Sequence, residues 1–190
     1  MFIITERQYN IIMQQAQMSY PYEAGGVLGG REGVIMGVLP IFNKTPEDPK
    51  DSFGMNSADI QRAHDFLAKH GLEFYGIYHS HPRGIAFPSE TDLSHHQRYM
   101  FIVSLADRYN PVFAAYQVEG NKIELVNIRV VSDKGFSVLD ITTDKPHLAE
   151  HATRKEMGYL STLIENIIDG NVEYPKFNPT IWDSTFSTLA

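Results

Sequence analysis

The chain has 190 residues, of which 43% are hydrophobic and 21% charged, and its formal net charge is −7. An acidic chain without any Lys/Arg cluster argues against a general nucleic-acid binder. The absence of cysteine excludes disulfides, a thiolate nucleophile and a cysteine-based zinc site. No stretch approaches the roughly 20 apolar residues that cross a bilayer, and the N-terminus lacks a secretory pattern, so we expect a cytoplasmic protein.

The N-terminal segments predict one helix followed by two neighbouring strands. Thr5 opens the helix, apolar residues follow it at helical spacing, and Pro21 ends it. The small apolar residues of 24–30 indicate a buried strand, and 34–42 returns beside it after a glycine turn. Residues 43–51 form a polar, proline-bearing loop. We interpret this loop as a solvated connection, with a substrate-contacting flap as the alternative.

The middle of the chain predicts two more helices and a series of strands. Ser57 is expected to cap a helix that stops at Gly71. The continuously apolar run 74–78 is typical of a strand that is buried on both faces. Ser89 is expected to open a further helix. Additional strands are predicted at 100–105, 111–118 and 122–131, the last two joined by a hairpin turn.

The chain changes character near its C-terminus. Residues 135–141 are expected to add one more strand, and a long amphipathic helix is predicted from Pro146 to Gly170. The aromatic tail after it is expected to dock on its own domain or on a partner. We therefore predict an α/β fold of the layered α+β type, with a mixed central sheet flanked by helices in residues 1–142 and a C-terminal helical extension in 143–190.

Two histidines stand at the end of the predicted strand 74–78. His79 and His81 are two positions apart, and strand side chains repeat with a period of two, so both imidazoles face the same side. Tyr78 and Ser80 then face the other way. Pro82 removes a backbone donor and stops the strand, which places the histidine pair where a cleft can form.

A carboxylate follows at a distance that suits a metal site. Asp92 lies eleven residues after His81 and in the first turn of the helix that Ser89 opens. Two histidines and one carboxylate leave one open position for water at a catalytic zinc, whose bound water has a pKa near ~7. Glu23 is the candidate for the base that takes the proton. Other transition metals compete for such nitrogen and oxygen ligands.

These residues resemble the signature of the JAMM (MPN-plus) metalloproteases. Glu23 precedes Ala-Gly-Gly-Val-Leu-Gly, seven residues separate His81 from Ser89, and two separate Ser89 from Asp92. The resemblance covers roughly residues 1–130. It implies a cytidine-deaminase-like fold, one zinc per chain held by His79, His81 and Asp92, Glu23 as general acid/base, and Ser89 as support for the oxyanion.

The resemblance also implies a substrate class. Members of this family cleave amide or isopeptide bonds next to the C-terminus of ubiquitin-like or sulfur-carrier-like proteins. Many prokaryotic relatives carry Glu-Ala-Cys-Gly where this chain has Gly25 after Ala24, a departure that removes no proposed ligand. We therefore expect a zinc-dependent metallopeptidase with such a protein as substrate and with neither nucleic acid nor membrane as partner.

Each motif taken alone has a simpler interpretation. The histidine pair on its own is more often structural, Ser89 to Asp92 is also a capping box, and Glu23 is more often a solvated loop residue. The register of all five residues favours the metal site. We interpret the remaining histidines as surface residues, including His147 and His151.

Two other functions are consistent with the sequence. A non-catalytic MPN scaffold is the main alternative, although scaffold members of the family usually lack one or more ligands. A hydrolase of another small amide, or a DNA-associated relative, is the second. The sequence does not fix the oligomeric state, and a homodimer is among the options.

Overall fold

The computed structural model describes residues 1–134, together with residues 140 and 142. The predicted strand at 135–141, the helix from Pro146 and the tail lie outside the described residues, so the boundary at 142/143 stays a prediction. The described elements are, in chain order, β1 (Phe2–Thr5), α1 (Glu6–Ser19), β2 (Gly25–Arg31), β3 (Val34–Ile41), α2 (Ser57–Lys69), β4 (Glu73–His81), α3 (Glu90–Ser94), β5 (Tyr99–Ser104), β6 (Val112–Glu119), β7 (Lys122–Val126) and β8 (Ile128–Val131).

The eight strands form one mixed sheet in the order β7-β6-β5-β4-β2-β3-β1-β8. β4 pairs antiparallel with β2 and parallel with β5, so the strand that carries the histidine pair has a hydrogen-bonded neighbour on each side. This confirms the predicted layered α+β fold with a mixed central sheet. A central strand with two partners gives its side chains a fixed direction.

The two long helices lie on opposite faces of the sheet. Tyr78 on β4 is fully buried and donates a hydrogen bond of 2.6 Å to Gln15 of α1. Val27 on β2 packs on the other face, in a buried cluster with Ala63 and Leu67 of α2. Gly25 lies two residues before Val27 on β2, so both positions are on the α2 face. Because Gly25 pairs with His79, His79 lies on this face too, whereas Gly26 pairs with Tyr78 on the other face. The histidines therefore project away from α1, as the period of two predicted.

Both helix caps are explained by short-range hydrogen bonds. Thr5 caps α1 as predicted, in a capping box with Gln8. For α2 the predicted cap, Ser57, is wrong by one residue. The cap is Asn56, whose side chain accepts a hydrogen bond of 2.8 Å from the Asp59 amide. Asn and Ser are comparable caps, so the preceding residue was an equal candidate on the sequence.

Two features of the sheet depart from the prediction. The N-terminal residues before α1 form β1, which the sequence analysis assigned to no element. The predicted single strand 122–131 is interrupted at Asn127: β7 pairs with β6, whereas β8 pairs parallel with β1 at the other end of the strand order. The Phe2 amide donates to the Asn127 carbonyl at 2.7 Å. Because one residue joins the first and last strands of the order, the sheet must curl until its two edges meet.

The curled sheet encloses an aromatic core. Phe2 is 4% exposed and its ring packs against Tyr75, Tyr99 and Phe101, with centroids 5.0–5.2 Å apart. Such tilted and edge-on aromatic contacts add to the free energy of burying apolar area. None of the helices in the described part of the chain has the length and apolarity that a membrane crossing requires.

Candidate metal centre

The histidine pair lies at the C-terminal end of β4. The Nε2 atoms of His79 and His81 are 3.0 Å apart, and their rings are tilted by 56°. Ser80 between them faces the opposite side, where its hydroxyl accepts a hydrogen bond of 2.9 Å from the Ala24 amide. The Ser80 amide in turn donates to the Ala24 carbonyl at 2.8 Å. Two hydrogen bonds therefore fasten the segment after Glu23 to the residue between the histidines.

Asp92 completes a triangle with the two imidazoles. Its Oδ1 lies 3.1 Å from Nε2 of His79, and its Oδ2 lies 3.4 Å from Nε2 of His81. The three side chains are only 10–16% exposed. The position of Asp92 follows from the capping box of α3, in which the Ser89 hydroxyl and amide each donate to Oδ2 at 2.7 Å. The predicted helix start thus explains the placement of the carboxylate.

The three side chains lie close enough together to share one metal ion. Zinc bonds to nitrogen and oxygen are about 2.0–2.2 Å long, so neighbouring ligand atoms of a tetrahedral site are about 3.3–3.5 Å apart. The two imidazole nitrogens are 3.0 Å apart, the two imidazole–carboxylate contacts involve different oxygens of Asp92, and one ligand atom from each residue lies within 4.8 Å of the others. Within the described residues, His79, His81 and Asp92 form the group that could hold a metal ion. This donor set is compatible with zinc.

A backbone contact orients one of the imidazoles. Nδ1 of His81 lies 2.9 Å from the Ile85 carbonyl oxygen. Because a carbonyl oxygen can only accept a hydrogen bond, Nδ1 must carry a proton. The lone pair is then on Nε2, the atom that faces His79 and Asp92. Hydrogen bonds of this kind fix the tautomer of metal-binding histidines and raise their basicity.

The charges at the site favour an ionised carboxylate. Burial by itself would raise the pKa of Asp92, but hydrogen bonds with His79 and His81 lower it well below its usual range. Burial would likewise lower the pKa of His81, yet hydrogen bonds to Asp92 and to the Ile85 carbonyl raise it overall. The raised pKa of His81 therefore favours an imidazolium that balances the carboxylate in the metal-free protein. A bound cation would supply the same balance.

Glu23 lies in the segment before β2 and is only 6% exposed. Burial raises the pKa of Glu23 to about 8; the neighbouring charge of His81 lowers it in part, and that of Asp92 raises it. These mutual effects place the Glu23 carboxyl within electrostatic reach of the metal centre. A buried carboxyl whose pKa lies near neutrality is suited to accept and return a proton.

The glycine after Ala24 is explained by a neighbouring aromatic ring. A Cβ atom built on Gly25 would lie 2.5 Å from the Tyr78 carbonyl oxygen and 2.7 Å from the Phe53 ring. Phe53, from the loop between β3 and α2, thus occupies the space that a side chain at position 25 would need. The departure from Glu-Ala-Cys-Gly leaves the metal centre unchanged, because position 25 contributes no ligand to it.

The structure brings together four of the five candidate residues by direct contact: His79, His81, Asp92 and Ser89. The fifth, Glu23, lies in the segment before β2 and is buried. The sequence analysis did not identify Ser80 or Asn43, whose side chains both bind the peptide group that joins Glu23 to Ala24. Asn43 was assigned to a solvated loop, and the only available signal was its position directly after a predicted strand. His147 and His151 lie outside the described residues.

The raised pKa of Glu23 predicts a pH-dependent stability in the metal-free protein. Between pH 4.5, the ordinary value, and about 8, folded Glu23 retains a proton that the unfolded chain releases, so stability falls as the pH rises. Glu23→Gln removes this dependence. In chelator, the difference in melting temperature between Glu23→Gln and the wild type should shift in favour of the variant as the pH rises from 4.5 to about 8. Circular dichroism measures both melting temperatures. Glu47→Gln, at an exposed loop position, is the control, and an equal gain there would refute the assignment to Glu23.

Comparison with protein families identifies the class of protein to which this fold and metal centre belong. The model for prokaryotic homologs of the JAB domain, named Prok-JAB, matches residues 5–126, which include all five candidate residues. The match extends over well over half of the chain. The chain therefore belongs to this prokaryotic family of JAMM/MPN proteins, and the resemblance found on the sequence is confirmed.

Individual proteins with similar sequences or structures support the fold. The chain is 36% identical over 73 residues to a protein of Thermus thermophilus named a probable TtuB-protein conjugate cleaving protease; the match covers 38% of this chain and 48% of that protein. The match thus spans about half the length of this curated relative. Among solved structures, a protein of Desulfitobacterium hafniense is 27% identical with a TM-score of 0.63, covering 70% of this chain and 94% of that one. A Salinibacter ruber protein, 23% identical with a TM-score of 0.51, covers 72% and 95% and shows the fold alone.

Proposed function

We propose that this protein is a zinc-dependent metallopeptidase that hydrolyses an amide bond next to the C-terminus of a ubiquitin-like or sulfur-carrier-like protein. The observation that carries the proposal is the group of His79, His81 and Asp92, whose ligand atoms, one from each residue, lie within 4.8 Å of one another, together with a buried carboxyl, that of Glu23, whose pKa is raised to about 8. Membership of the Prok-JAB family supports a hydrolase. The name of the Thermus thermophilus relative, which describes cleavage of protein conjugates, supports this substrate class.

In this proposal the chain's own residues divide the reaction between them. His79, His81 and Asp92 hold the zinc ion, which supplies Lewis acidity and lowers the pKa of a water to about 7. Glu23 takes a proton from the attacking water. The water oxygen bonds to the acyl carbon, the C–N bond breaks, and Glu23 delivers the proton to the amine nitrogen. The products are a free C-terminal carboxylate and an amine.

A screen of defined protein fusions tests the function directly. Zinc-loaded protein is incubated with ubiquitin-like and sulfur-carrier proteins that carry a peptide after their C-terminal residue, and products are identified by mass spectrometry. We expect cleavage after the last residue of the carrier, loss of cleavage in chelator, and recovery after zinc is added back. Zinc-loaded, folded protein that cleaves none of them would favour the non-catalytic scaffold. The cytoplasmic location and the oligomeric state stay predictions.

Ser89 has two candidate roles that one substitution separates. A hydroxyl has one proton, and here it is donated to Asp92, whereas the family resemblance assigns it to the oxyanion. If Ser89 chiefly positions the carboxylate, Ser89→Ala should weaken zinc binding by about 10- to 100-fold and leave kcat at saturating zinc nearly unchanged. If it supports the oxyanion, kcat should fall by about 10²–10³ with zinc affinity retained. Zinc titration and kinetics on the same preparation decide between them, with Ser94→Ala as control at the far end of α3.

A further inference from the structure

Asn43 lies two residues after the end of β3, and its side chain makes four hydrogen bonds. Its Nδ2 donates to the Glu23 carbonyl at 3.1 Å and to the Ser52 carbonyl at 2.7 Å. Its Oδ1 accepts from the amides of Thr45 at 3.0 Å and Gly54 at 3.1 Å. An amide side chain has two donor hydrogens and two acceptor lone pairs, so its capacity is fully used. A side chain bound on four sides has one orientation.

The loop that Asn43 organises, residues 43–54, is closed at its base. The Lys44 amide donates to the Gly54 carbonyl at 2.8 Å, which joins the two ends of the loop. The Lys44 ammonium pairs at 2.7 Å with Asp59 in the first turn of α2. The Asp59 side chain is fully buried and also pairs with Arg62. Breaking a buried ion pair is costly, so this anchor fixes the base of the loop against α2.

Both backbone polar groups of Glu23 end on this loop. Its amide donates to the Pro49 carbonyl at 2.7 Å, and its carbonyl accepts from Asn43. The next residue, Ala24, exchanges hydrogen bonds with Ser80 between the two histidines. Glu23 is therefore clamped between a closed loop on one side and the metal-binding strand on the other. The direction of its carboxyl depends on where this backbone is held.

We propose that Asn43 is a positioning residue for Glu23. Its Nδ2 ties the peptide carbonyl of Glu23 to the loop and thereby holds the Glu23 carboxyl at the metal centre. The effect on turnover rests on the proposed function, but the effect on the Glu23 backbone does not. A misplacement of about 1 Å in a catalytic group can reduce the rate by about 10²-fold. Loss of the hydrogen bond that positions the backbone of Glu23 should therefore lower kcat.

Two substitutions and one control isolate this hydrogen bond. Asn43→Asp keeps the size of the side chain and the oxygen that accepts from Thr45 and Gly54, but removes both donated hydrogen bonds. Asn43→Ala removes them without adding charge, so agreement between the variants assigns the effect to the lost donor. Ser52→Ala is the matched control, because it deletes the hydroxyl contact to Thr45 inside the same loop and leaves the backbone carbonyl that Asn43 binds.

We expect kcat to fall by about 10- to 100-fold in both Asn43 variants, with KM within about threefold of wild type and zinc content unchanged. Ser52→Ala should keep the wild-type kcat. A rise in KM at constant kcat would overturn the proposal, because it would indicate a substrate-contacting loop. Melting temperatures show whether each variant is folded under assay conditions. If one Asn43 variant does not fold, the other alone tests the proposal.

Amide hydrogen exchange provides a readout that does not depend on any substrate. The amides of Glu23 and Ala24 should exchange at least about tenfold faster in the Asn43 variants than in wild type and Ser52→Ala, while the central amides of β4 keep their protection. Unchanged exchange at these two residues would overturn the proposal whatever the kinetics show. Failure of the proposed function would appear instead as an inactive, zinc-loaded wild type, and exchange would still decide the role of Asn43.

Discussion

Purified protein is expected to retain about one zinc ion per chain after dialysis, and Asp92→Ala is expected to lose it. The wild-type group offers one ligand atom from each of three residues, all within 4.8 Å of one another. Without the carboxylate, only the two imidazole ligands remain. Removing one of three protein ligands should weaken zinc binding by well over tenfold, since loss of an outer-shell contact already costs about 10- to 100-fold. Elemental analysis of both proteins measures the difference.

Glu90→Ala is the matched control for this experiment. Glu90 is an exposed acid in the same first turn of α3 and belongs to no metal-ligating group, so its removal changes the net charge without removing a ligand. It should retain zinc at the wild-type level. A wild type that binds no zinc even after zinc is added, or an Asp92→Ala variant that keeps it, would refute the assigned centre. Competition with other divalent ions in the same assay tests the preference for zinc.

Glu23→Gln is expected to reduce kcat by about 10²–10⁴ while zinc content stays at one per chain. The amide is nearly the same size as the carboxyl and can keep its place in the buried pocket, but it cannot take a proton from water. The raised pKa of Glu23 shows that the pocket already tolerates the uncharged form of this side chain. The substitution should therefore separate chemistry from folding and from metal binding.

Single-turnover kinetics and elemental analysis of the same Glu23→Gln sample check this expectation. Glu47→Gln, in the loop between β3 and α2, provides an exposed control that should keep full activity. Loss of zinc from Glu23→Gln would show that Glu23 is a ligand instead of a base. Retention of both zinc and full turnover would move the proton transfer to another group.

The parts of the site that the sequence predicted are those that depend on short-range geometry. The alternation along a strand placed His79 and His81 on one face, and the capping box of Ser89 placed Asp92 in the first turn of α3. Both arrangements involve residues within three positions of each other. Their roles in metal binding and catalysis stay predictions.

The parts that the sequence did not predict depend on partners that are distant in the chain. Asn43 binds the carbonyl of a residue twenty positions earlier, and Phe53 fills the space beside Gly25. Nothing in the local pattern of a polar loop identifies such partners. The break at Asn127 is likewise invisible as a change in hydropathy, because the residues on both sides remain strand-like and only their pairing partner changes.

The pairing of β1 also determines when the domain can fold during synthesis. Residues 2–5 pair in parallel with residues 128–131, whereas the ladder to β3 is limited to Ile3 and Val34. The pairing of β1 is therefore completed only by β8, the last described strand, although the aromatic neighbours of Phe2 come earlier in the chain. Contacts of such large sequence separation slow folding. A nascent chain that does not yet include residues 128–131 therefore lacks the parallel partner of β1, and it exposes apolar strand edges to chaperones.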